Sequence, residues 1–149
     1  MIRMMVPDDV PVIAEIEKEC FSRPWSERNF FDSLNLEEAV FLVATEKTTV
    51  SGYVGCYLSF DEAEITNVAV KAAARRRGYA KQLLAELEKT VYVRGVRCIF
   101  LEVRRSNEPA ISLYREMGYV TIGERPGFYR NPTEDALLMK KELKDNDKC

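Results

Sequence analysis

Apolar and polar residues follow two different periods along this chain, and each period predicts a different kind of element. Alternating or continuous apolar runs predict strands at residues 2–6, 40–45, 52–60, 64–70, 98–103, 119–124 and 136–143. Apolar residues spaced by three and four predict helices after Pro7 and after Ser26, and at residues 78–93 and 109–117. The predicted order is βααβββαβαββ, an α/β fold whose central mixed sheet of about seven strands carries helices on both faces.

The same spacing predicts which side of each helix faces the core. The stripe in helix 78–93 consists of Ala80, Leu83, Leu84, Leu87 and Val91. The stripe in the first helix consists of Val12, Ile13, Ile16 and Cys20. Residues 125–135 are predicted to form the loop between the last two strands.

Size and charge narrow the possible classes of protein. The 149 residues predict one domain over residues 1–143, followed by a polar tail at 144–149. The 22 basic and 24 acidic residues nearly balance, which argues against a nucleic-acid partner. No apolar stretch approaches the roughly 18–20 residues that cross a bilayer, and the N-terminus lacks the features of a signal peptide. We therefore expect a cytoplasmic protein with no membrane partner.

The chain contains no histidine, and this restricts the chemistry it can perform. A Ser-His-Asp triad, a Cys-His dyad and a His-ligated metal site are excluded. The four cysteines, Cys20, Cys56, Cys98 and Cys149, are widely separated, so we expect neither a metal site nor a disulfide framework. Cys56 and Cys98 are predicted to be small core residues. A general base would be a carboxylate, a tyrosine, an amine, a thiolate or an ordered water.

A basic segment with a glycine joins the strand at 64–70 to the following helix. It consists of Arg75, Arg76, Arg77, Gly78, Tyr79, Ala80 and Lys81. The free N–H groups and the dipole at a helix N-terminus attract phosphate, and Gly78 allows close backbone approach. The segment therefore predicts a pyrophosphate site. A solvated basic turn is the structural alternative, and a nucleic-acid site is disfavoured because no basic face accompanies the cluster.

Two motifs carry a resemblance to a known family. Arg75-x-x-Gly78-x-Ala80 resembles the acetyl-CoA loop of the GNAT N-acetyltransferase superfamily. The stretch 101–119, with Glu102, Asn107 and Tyr114, is similar to the corresponding block of its RimI-like branch. Pro24-Trp25-Ser26 and the segment around Tyr129 also match that branch. Residues 71–74, Lys-Ala-Ala-Ala, depart from it, because the family more often has a proline and an acidic residue there.

The resemblance implies a role for each matching residue. Glu102 would be the general base, acting through a water, and Tyr114 the general acid that protonates the leaving thiolate. The backbone of Val68, Ala69 and Val70 would bind the pantetheine arm, and residues Arg75 to Lys81 the pyrophosphate. Asn107 would also reach acetyl-CoA. The substrate channel would be bordered by Trp25, Asn67 and Tyr129.

Several of these residues also have a purely structural interpretation. Glu102 could be a surface glutamate paired with an arginine, and Tyr114 a core aromatic. Asn107 could cap its helix and Trp25 could anchor the core. Residues 68–70 could be an ordinary buried strand. On the last loop, we expect Phe128 to turn inward and leave Tyr129 to contact substrate.

The resemblance implies an acetyl-CoA-dependent N-acetyltransferase that modifies the N-terminal α-amine of a protein, with the N-terminal alanine of a small-subunit ribosomal protein as the bacterial prototype. We expect direct transfer in a ternary complex, because no cysteine has an obvious activating base beside it. Acetylation of a lysine side chain or a small amine remains an alternative, as does a non-catalytic acyl-CoA-binding module. We expect a monomer or weak homodimer.

Overall fold

The computed structural model describes residues 1–144 and confirms the predicted order of elements. The strands and helices are β1 (Ile2–Met4), α1 (Val10–Cys20), α2 (Glu27–Leu34), β2 (Ala39–Glu46), β3 (Thr49–Ser59), β4 (Glu62–Val70), α3 (Tyr79–Val93), β5 (Cys98–Arg104), α4 (Glu108–Glu116), β6 (Val120–Tyr129) and β7 (Glu134–Glu142). Short 3-10 turns lie at Pro7–Asp9 and Ala72–Ala74. Most of the predicted tail, 145–149 with Cys149, lies outside the described residues. No helix in residues 1–144 is long and apolar enough to span a membrane.

The strands form one mixed sheet, as the sequence predicts. Its order is β1-β2-β3-β4-β5-β7-β6. Every neighbouring pair is antiparallel except β4 and β5, which are parallel. The connection between these two parallel strands is α3, the crossover helix that a parallel pair requires.

A separate hydrophobic core lies on each face of the sheet. On one face α3 buries Leu83, Leu84, Leu87 and Val91 completely, each with 0% exposed surface, against strand residues that include Leu42 and Leu101. On the other face α1 and α2 pack Ile13, Ile16 and Phe30 against Phe41 and Tyr53. Adjacent residues of β2 enter opposite cores because side chains alternate along a strand. The prediction of helices on both faces is confirmed.

The predicted stripe of α1 is partly wrong. Val12 is 44% exposed, and the buried residues of this helix are Val10, Ile13, Ala14, Ile16 and Glu17. Positions 10, 13 and 17 lie on one face of a helix, and position 12 lies about 200° around the axis from position 10. Val12 lies in a short apolar run at the start of α1, and for this reason the sequence pattern placed it wrongly on the buried face.

The last hairpin is longer than predicted. β6 continues to Tyr129, so the loop expected at 125–135 shrinks to residues 130–133. The ladder between β6 and β7 is irregular from Arg125 to Tyr129. Gly127 adopts a left-handed conformation with φ 62°, and its N–H donates to the Asp135 carboxylate over 2.8 Å. This contact holds the irregular segment against β7.

A bulge bends β4 halfway along its length. Gly55 pairs with Asn67 and Cys56 pairs with Ile65, so Thr66 is an extra residue in β4. A bulge increases local twist and redirects the strand. Gly55 lies against the ring of Phe41, and a Cβ at position 55 would overlap that ring. Position 55, which pairs with Asn67 beside the bulge, can therefore accept a larger residue only if the Phe41 ring moves.

We expect Gly55→Ala to lower the free energy of unfolding by about 1–3 kcal/mol, because the new methyl group would displace the buried Phe41 ring. Urea unfolding monitored by circular dichroism measures this change. Gly123→Ala is the matched control, since a Cβ at position 123 meets no atom within 4 Å. Equal stabilities of the two variants would contradict the packing argument.

Candidate active site

The site is organised around a gap between the two parallel strands. The ladder between β4 and β5 covers only four pairs and ends at Ile65 and Leu101. Beyond it, residues 67–70 of β4 pair with β3, and residues 102–104 of β5 pair with β7. In the described strand pairings, the facing edges of these two strand ends therefore have no strand partner.

The segment after β4 presents a helix N-terminus beside this gap. Arg76 and Gly78 both adopt left-handed conformations, with φ 66° and φ 81°, and turn the chain into α3. Gly78 is the N-cap of α3 and supplies no side-chain cap. The first-turn N–H groups of α3, which have no intrahelical acceptor, are thus left for water or a ligand.

A cavity of about 240 Å³ lies against this helix start. Its lining residues are Val70, Ala74, Arg75, Arg76, Gly78, Tyr79, Ala80, Lys81 and Leu113. Most of the predicted pyrophosphate segment therefore surrounds one cavity. A second cavity, of about 360 Å³, lies beside β6 and β7 and has no predicted site residue in its lining.

The cations of this segment are not equally free. Arg77 donates to Glu46 over 2.7 Å, and Lys81 donates to Glu116 over 2.6 Å. Arg75 donates to the Val70 carbonyl over 3.1 Å and to Cys20 Sγ over 3.2 Å. Within residues 1–144, Arg76 has no ion-pair or hydrogen-bond partner through its side chain. Among residues 1–144, the basic cluster therefore consists of one arginine without a side-chain partner and three cations that bind other parts of the protein.

The strand residues predicted to bind the pantetheine arm divide between the two cores. Val68 is half-buried against the α3 core, and Ala69 is buried in the core under α1 and α2. Their side chains are thus structural, and any role toward a ligand falls to their backbone. That role stays a prediction.

Glu102 is largely enclosed on the face of β5 that also carries Arg104. Its neighbours Leu101 and Val103 point into the α3 core, as the predicted alternation requires. The Glu102 side chain is 14% exposed, and its Oε2 lies 3.0 Å from Arg125 Nε. Burial raises the pKa of Glu102, Arg125 opposes the rise, and Glu64 adds to it. Glu102 is therefore paired with an arginine, as its structural interpretation predicts, and this pairing is compatible with its predicted role as the general base.

Tyr114 is buried on α4, where its ring meets Tyr119 edge-on at a centroid distance of 5.7 Å. Burial raises the pKa of Tyr114 well above its usual value of about 10, and Tyr129 contributes to the rise. Tyr114 is therefore protonated at neutral pH and available as a proton donor. The pKa of Tyr129 is raised to about 12 by burial and by Glu102.

Glu102 and Tyr114 lie on opposite faces of the sheet. Tyr114 belongs to the α3 core, whereas the neighbours of Glu102 on β5 point into that core and Glu102 points away from it. Tyr129 feels the charge of Glu102 and in turn raises the pKa of Tyr114. Tyr129 therefore lies within electrostatic reach of both side chains, and their roles as base and acid stay predictions.

Asn107 caps α4, as the structural alternative predicts. Its Oδ1 accepts from the Ala110 N–H over 3.3 Å, so its side chain is engaged in the helix start. Asn107 does not line the cavity beside α3. A contact with acetyl-CoA stays a prediction.

Two of the predicted substrate residues lie deeper than expected. Trp25 is half-buried and packs against Phe30 and Phe41, with ring centroids 5.2 and 6.1 Å apart. Asn67 is 3% exposed, and its Nδ2 lies 3.5 Å from Glu17 Oε1. Trp25 is thus a core anchor, and the roles of both residues toward substrate stay predictions.

Glu17, which sequence reasoning missed, joins these two residues. This carboxylate is 3% exposed and accepts from the Tyr53 hydroxyl and from the Trp25 N–H, the latter over 3.0 Å. It therefore fixes the loop between α1 and α2 onto β3 and β4. A glutamate on the apolar face of α1, between Ile16 and Cys20, was the available signal.

Arg104 was missed as well, and it connects the two loops beside Glu102. Its guanidinium donates to the carbonyls of Arg130 and Pro132 (2.9 Å each), to Glu134 (3.3 Å) and to Ser22 Oγ (3.4 Å). It also lies 4.5 Å from the centre of the Tyr129 ring. The signal in the sequence was its position two residues after Glu102, on the same face of β5.

The contact with Arg104 also decides which aromatic residue of the hairpin turns inward. Tyr129 is half-buried under the guanidinium, whereas Phe128 is 45% exposed. The prediction that Phe128 turns inward is wrong, because stacking against Arg104 draws the neighbouring ring toward the sheet. Tyr129 therefore borders the space beside Glu102.

The sulfur and acidic groups do not assemble a metal site. Within residues 1–144 no group of three or more His, Cys, Asp and Glu side chains could hold a metal ion. Cys56 is fully buried, whereas Cys98 is half-buried, so the predicted core role is met fully only by Cys56.

Comparison with known proteins identifies the family. Residues 10–119 match the model of the acetyltransferase (GNAT) family. The chain belongs to the GNAT acetyltransferase family. This GNAT chain is 34% identical over 142 residues to the ribosomal protein bS18-alanine N-acetyltransferase of Salmonella typhimurium LT2, covering 93% of this chain and 94% of that protein. The RimI-like resemblance is thereby confirmed.

Two solved structures share this GNAT fold. The ribosomal-protein-S18-alanine N-acetyltransferase of Escherichia coli is 29% identical, with a TM-score of 0.88 over 98% of this chain and 97% of that one. NAA60 of Arabidopsis thaliana, solved in complex with acetyl-CoA, is 22% identical, with a TM-score of 0.86 over 96% and 98%. The predicted fold class is confirmed.

We expect Arg104→Gln to loosen the hairpin of this GNAT chain, because the neutral side chain is shorter and cannot reach all of the acceptors held by Arg104. Hydrogen exchange at the amides of residues 127–135 should accelerate several-fold. Arg105→Gln is the matched control, since Arg105 is half-exposed and pairs with Glu124. Unchanged exchange in Arg104→Gln would contradict a bracing role.

Proposed function

We propose that this GNAT chain transfers the acetyl group of acetyl-CoA to the N-terminal α-amine of a protein. The observation that carries the proposal is the pair of groups on either side of the gap between β4 and β5. Glu102 is an enclosed carboxylate with a raised pKa, and Tyr114 is a buried phenol that stays protonated. Relatives named ribosomal protein bS18-alanine N-acetyltransferase support the choice of acceptor.

Acetyl-CoA would supply the activated thioester, and the residues around the gap fit its parts. The uncapped start of α3 and Arg76 suit the pyrophosphate, because both present positive potential to the cavity. The β5-facing backbone edge of residues 68–70 suits the pantetheine arm, in the manner of an added strand. A backbone N–H of the same segment would polarise the thioester carbonyl.

The acceptor must lose a proton before it can attack. An α-amine has a pKa of about 7.7–8.0, against about 10.4 for lysine, so a modest base suffices for an N-terminus. Glu102 would take that proton through a water. The amine nitrogen then bonds to the acetyl carbon, the carbon–sulfur bond breaks, and the Tyr114 hydroxyl gives its proton to the departing sulfur. The nitrogen loses one further proton to solvent as it becomes an amide, and the Tyr114 phenolate regains a proton from solvent.

Direct transfer fits the state of the cysteines better than an acyl-enzyme. Burial raises the pKa of the Cys56 thiol to about 12. Burial also raises the pKa values of the Cys20 and Cys98 thiols, although Arg75 opposes the rise at Cys20. A nucleophilic cysteine needs the opposite shift, because the thiolate is the reactive form.

The acceptor side is shaped by two loops rather than by one rigid element. Arg104 ties the α1–α2 loop, through Ser22, to the hairpin of β6 and β7. Tyr129 stands under this brace beside Glu102. An opening between loops suits an extended peptide end. Residues 1–143 would then form one catalytic domain, and a cytoplasmic monomer or weak homodimer stays the prediction.

We expect release of coenzyme A when acetyl-CoA meets a peptide with a free N-terminal Ala, and less or none with an N-terminally blocked peptide that carries an internal lysine. A peptide starting with Met ranks the N-terminal preference. Thiol detection and peptide mass measure turnover. Activity confined to the blocked peptide would overturn the α-amine assignment.

The same assay ties turnover to the proposed base. Glu102→Gln should lower kcat about 10²–10⁴-fold at pH 7 and leave acetyl-CoA affinity unchanged. Glu124→Gln is the matched control, because Glu124 is an exposed carboxylate on β6 that pairs with Arg105. If Glu102→Gln turned over as fast as the wild type, Glu102 would be excluded as the base.

We expect Tyr114→Phe to lower kcat about 10²-fold or more, because the departing thiolate loses its proton donor. The KM for the peptide should change little, since the lost hydroxyl acts on the sulfur. Tyr57→Phe is the control, as the Tyr57 hydroxyl bonds Ser33 on the side of the sheet covered by α2. A kcat equal to that of the wild type would assign Tyr114 to the core alone.

A further inference from the structure

Arg125 reaches Glu102 across an intervening strand. In the sheet β7 lies between β5 and β6, so the two residues do not lie on neighbouring strands. Arg125 is opposite Ala136, and Glu102 is opposite Leu138, two residues along β7 on the same face. Ala136 is small and fully buried, which leaves room for a long side chain to cross β7. The contact is therefore a product of register and not of sequence proximity.

The two oxygens of Glu102 are not equivalent. Oε2 is buried and makes no hydrogen bond of good geometry within the described residues, although Arg125 Nε lies 3.0 Å away. Charge proximity therefore offsets the cost of burying this oxygen. Oε1 is the oxygen left to face the water or amine. Arg125 thus lies beside Oε2 and leaves Oε1 without this cation.

We propose that Arg125 is a positioning residue for the acetyl transfer: it holds Oε2 of Glu102, keeps the enclosed carboxylate ionised, and leaves Oε1 to take the proton of the acceptor amine. This inference rests on the proposed role of Glu102 as the base. In this proposal Arg125 acts through Glu102 and not by direct contact with acetyl-CoA or the acceptor.

The other groups around Glu102 raise its pKa or leave it without a free cation, so Arg125 has a large influence on its ionisation. From β4, Glu64 raises the pKa of Glu102, and burial raises it further. From the hairpin, the Tyr129 phenol is neutral at pH 7, and on β5 the Arg104 guanidinium is engaged with hairpin carbonyls and Glu134. Tyr114 on α4 is also neutral at pH 7. Arg125 is the cation that lowers the pKa of Glu102 among the described residues.

Arg125 has a second anchor that keeps it near Glu102. Its guanidinium lies 5.6 Å from the centre of the Phe128 ring, while more than half of its side chain remains exposed. Phe128 lies within the stretch from Arg125 to Tyr129, where the register of the β6–β7 ladder is irregular. Because the Arg125 end of this ion pair is exposed to solvent, its contribution to stability should be modest, and its effect should be found in the protonation of the enclosed Glu102.

The direction of the effect follows from charge. Without Arg125 the carboxylate of Glu102 binds a proton more readily, so its pKa rises. The ionised base is then lost at a higher pH, and the acid limb of kcat/KM moves upward with it. High salt should narrow the difference, because the Arg125 side chain is exposed to solvent.

The first experiment measures Glu102 in the free protein and needs no turnover. Carboxyl ¹³C NMR titration, with the Glu102 signal assigned by its loss in Glu102→Gln, should show the pKa about 1 unit higher in Arg125→Gln than in the wild type. Arg125→Lys should recover most of the wild-type pKa. Arg105→Gln, which removes a neighbouring cation paired with Glu124, should leave the Glu102 pKa unchanged.

The second experiment records kcat/KM against pH with one N-terminal peptide. The acid limb should move upward in Arg125→Gln by about the NMR shift, with the KM for acetyl-CoA unchanged. An unmoved Glu102 pKa in a folded Arg125→Gln variant, or an unmoved acid limb, would overturn the role of Arg125 while the proposed function stood. A wild type that acetylates no amine would overturn the proposed function, and the NMR titration would still decide whether Arg125 controls Glu102.

Discussion

The incomplete pairing of β4 with β5 is the constraint on which the candidate site depends. The parallel ladder ends at Ile65 and Leu101, and the bulge at Thr66 directs β4 away from β5. Both strands then end beside a helix start, α3 after β4 and α4 after β5. Backbone groups left without a strand partner need water or a ligand. The gap therefore leaves a free strand edge, and this is the edge at which we propose that acetyl-CoA binds.

In this chain without histidine, the two side chains proposed to transfer protons are both shifted by burial. Enclosure raises the pKa of Glu102, which is the direction that favours its proposed role as a base. Enclosure also raises the pKa of Tyr114, a phenol that is protonated at neutral pH even without this shift. The same physical effect makes the thiols poor nucleophiles. Burial of the cysteine thiols thus favours direct acetyl transfer over an acyl-enzyme intermediate.

Arginines hold together the parts of the site that have little secondary structure. Arg75 binds the Val70 carbonyl below the helix start, and Arg104 binds the hairpin and the α1–α2 loop. A guanidinium suits this work because it presents five donors in a planar arrangement. The segments joined are far apart in the chain and have no common ladder. Side chains therefore supply the order that backbone pairing supplies elsewhere.

The sequence by itself determined the element order, the α3 stripe, the helix cap at Ser26 and the alternation along β5, because each depends on residues two to four positions apart. It also located the basic loop. Only the tertiary structure decided that Val12 is exposed, that Trp25 anchors a core, and that Arg125 crosses β7 to Glu102. These outcomes depend on which strands become neighbours, and local periodicity carries no information on that arrangement.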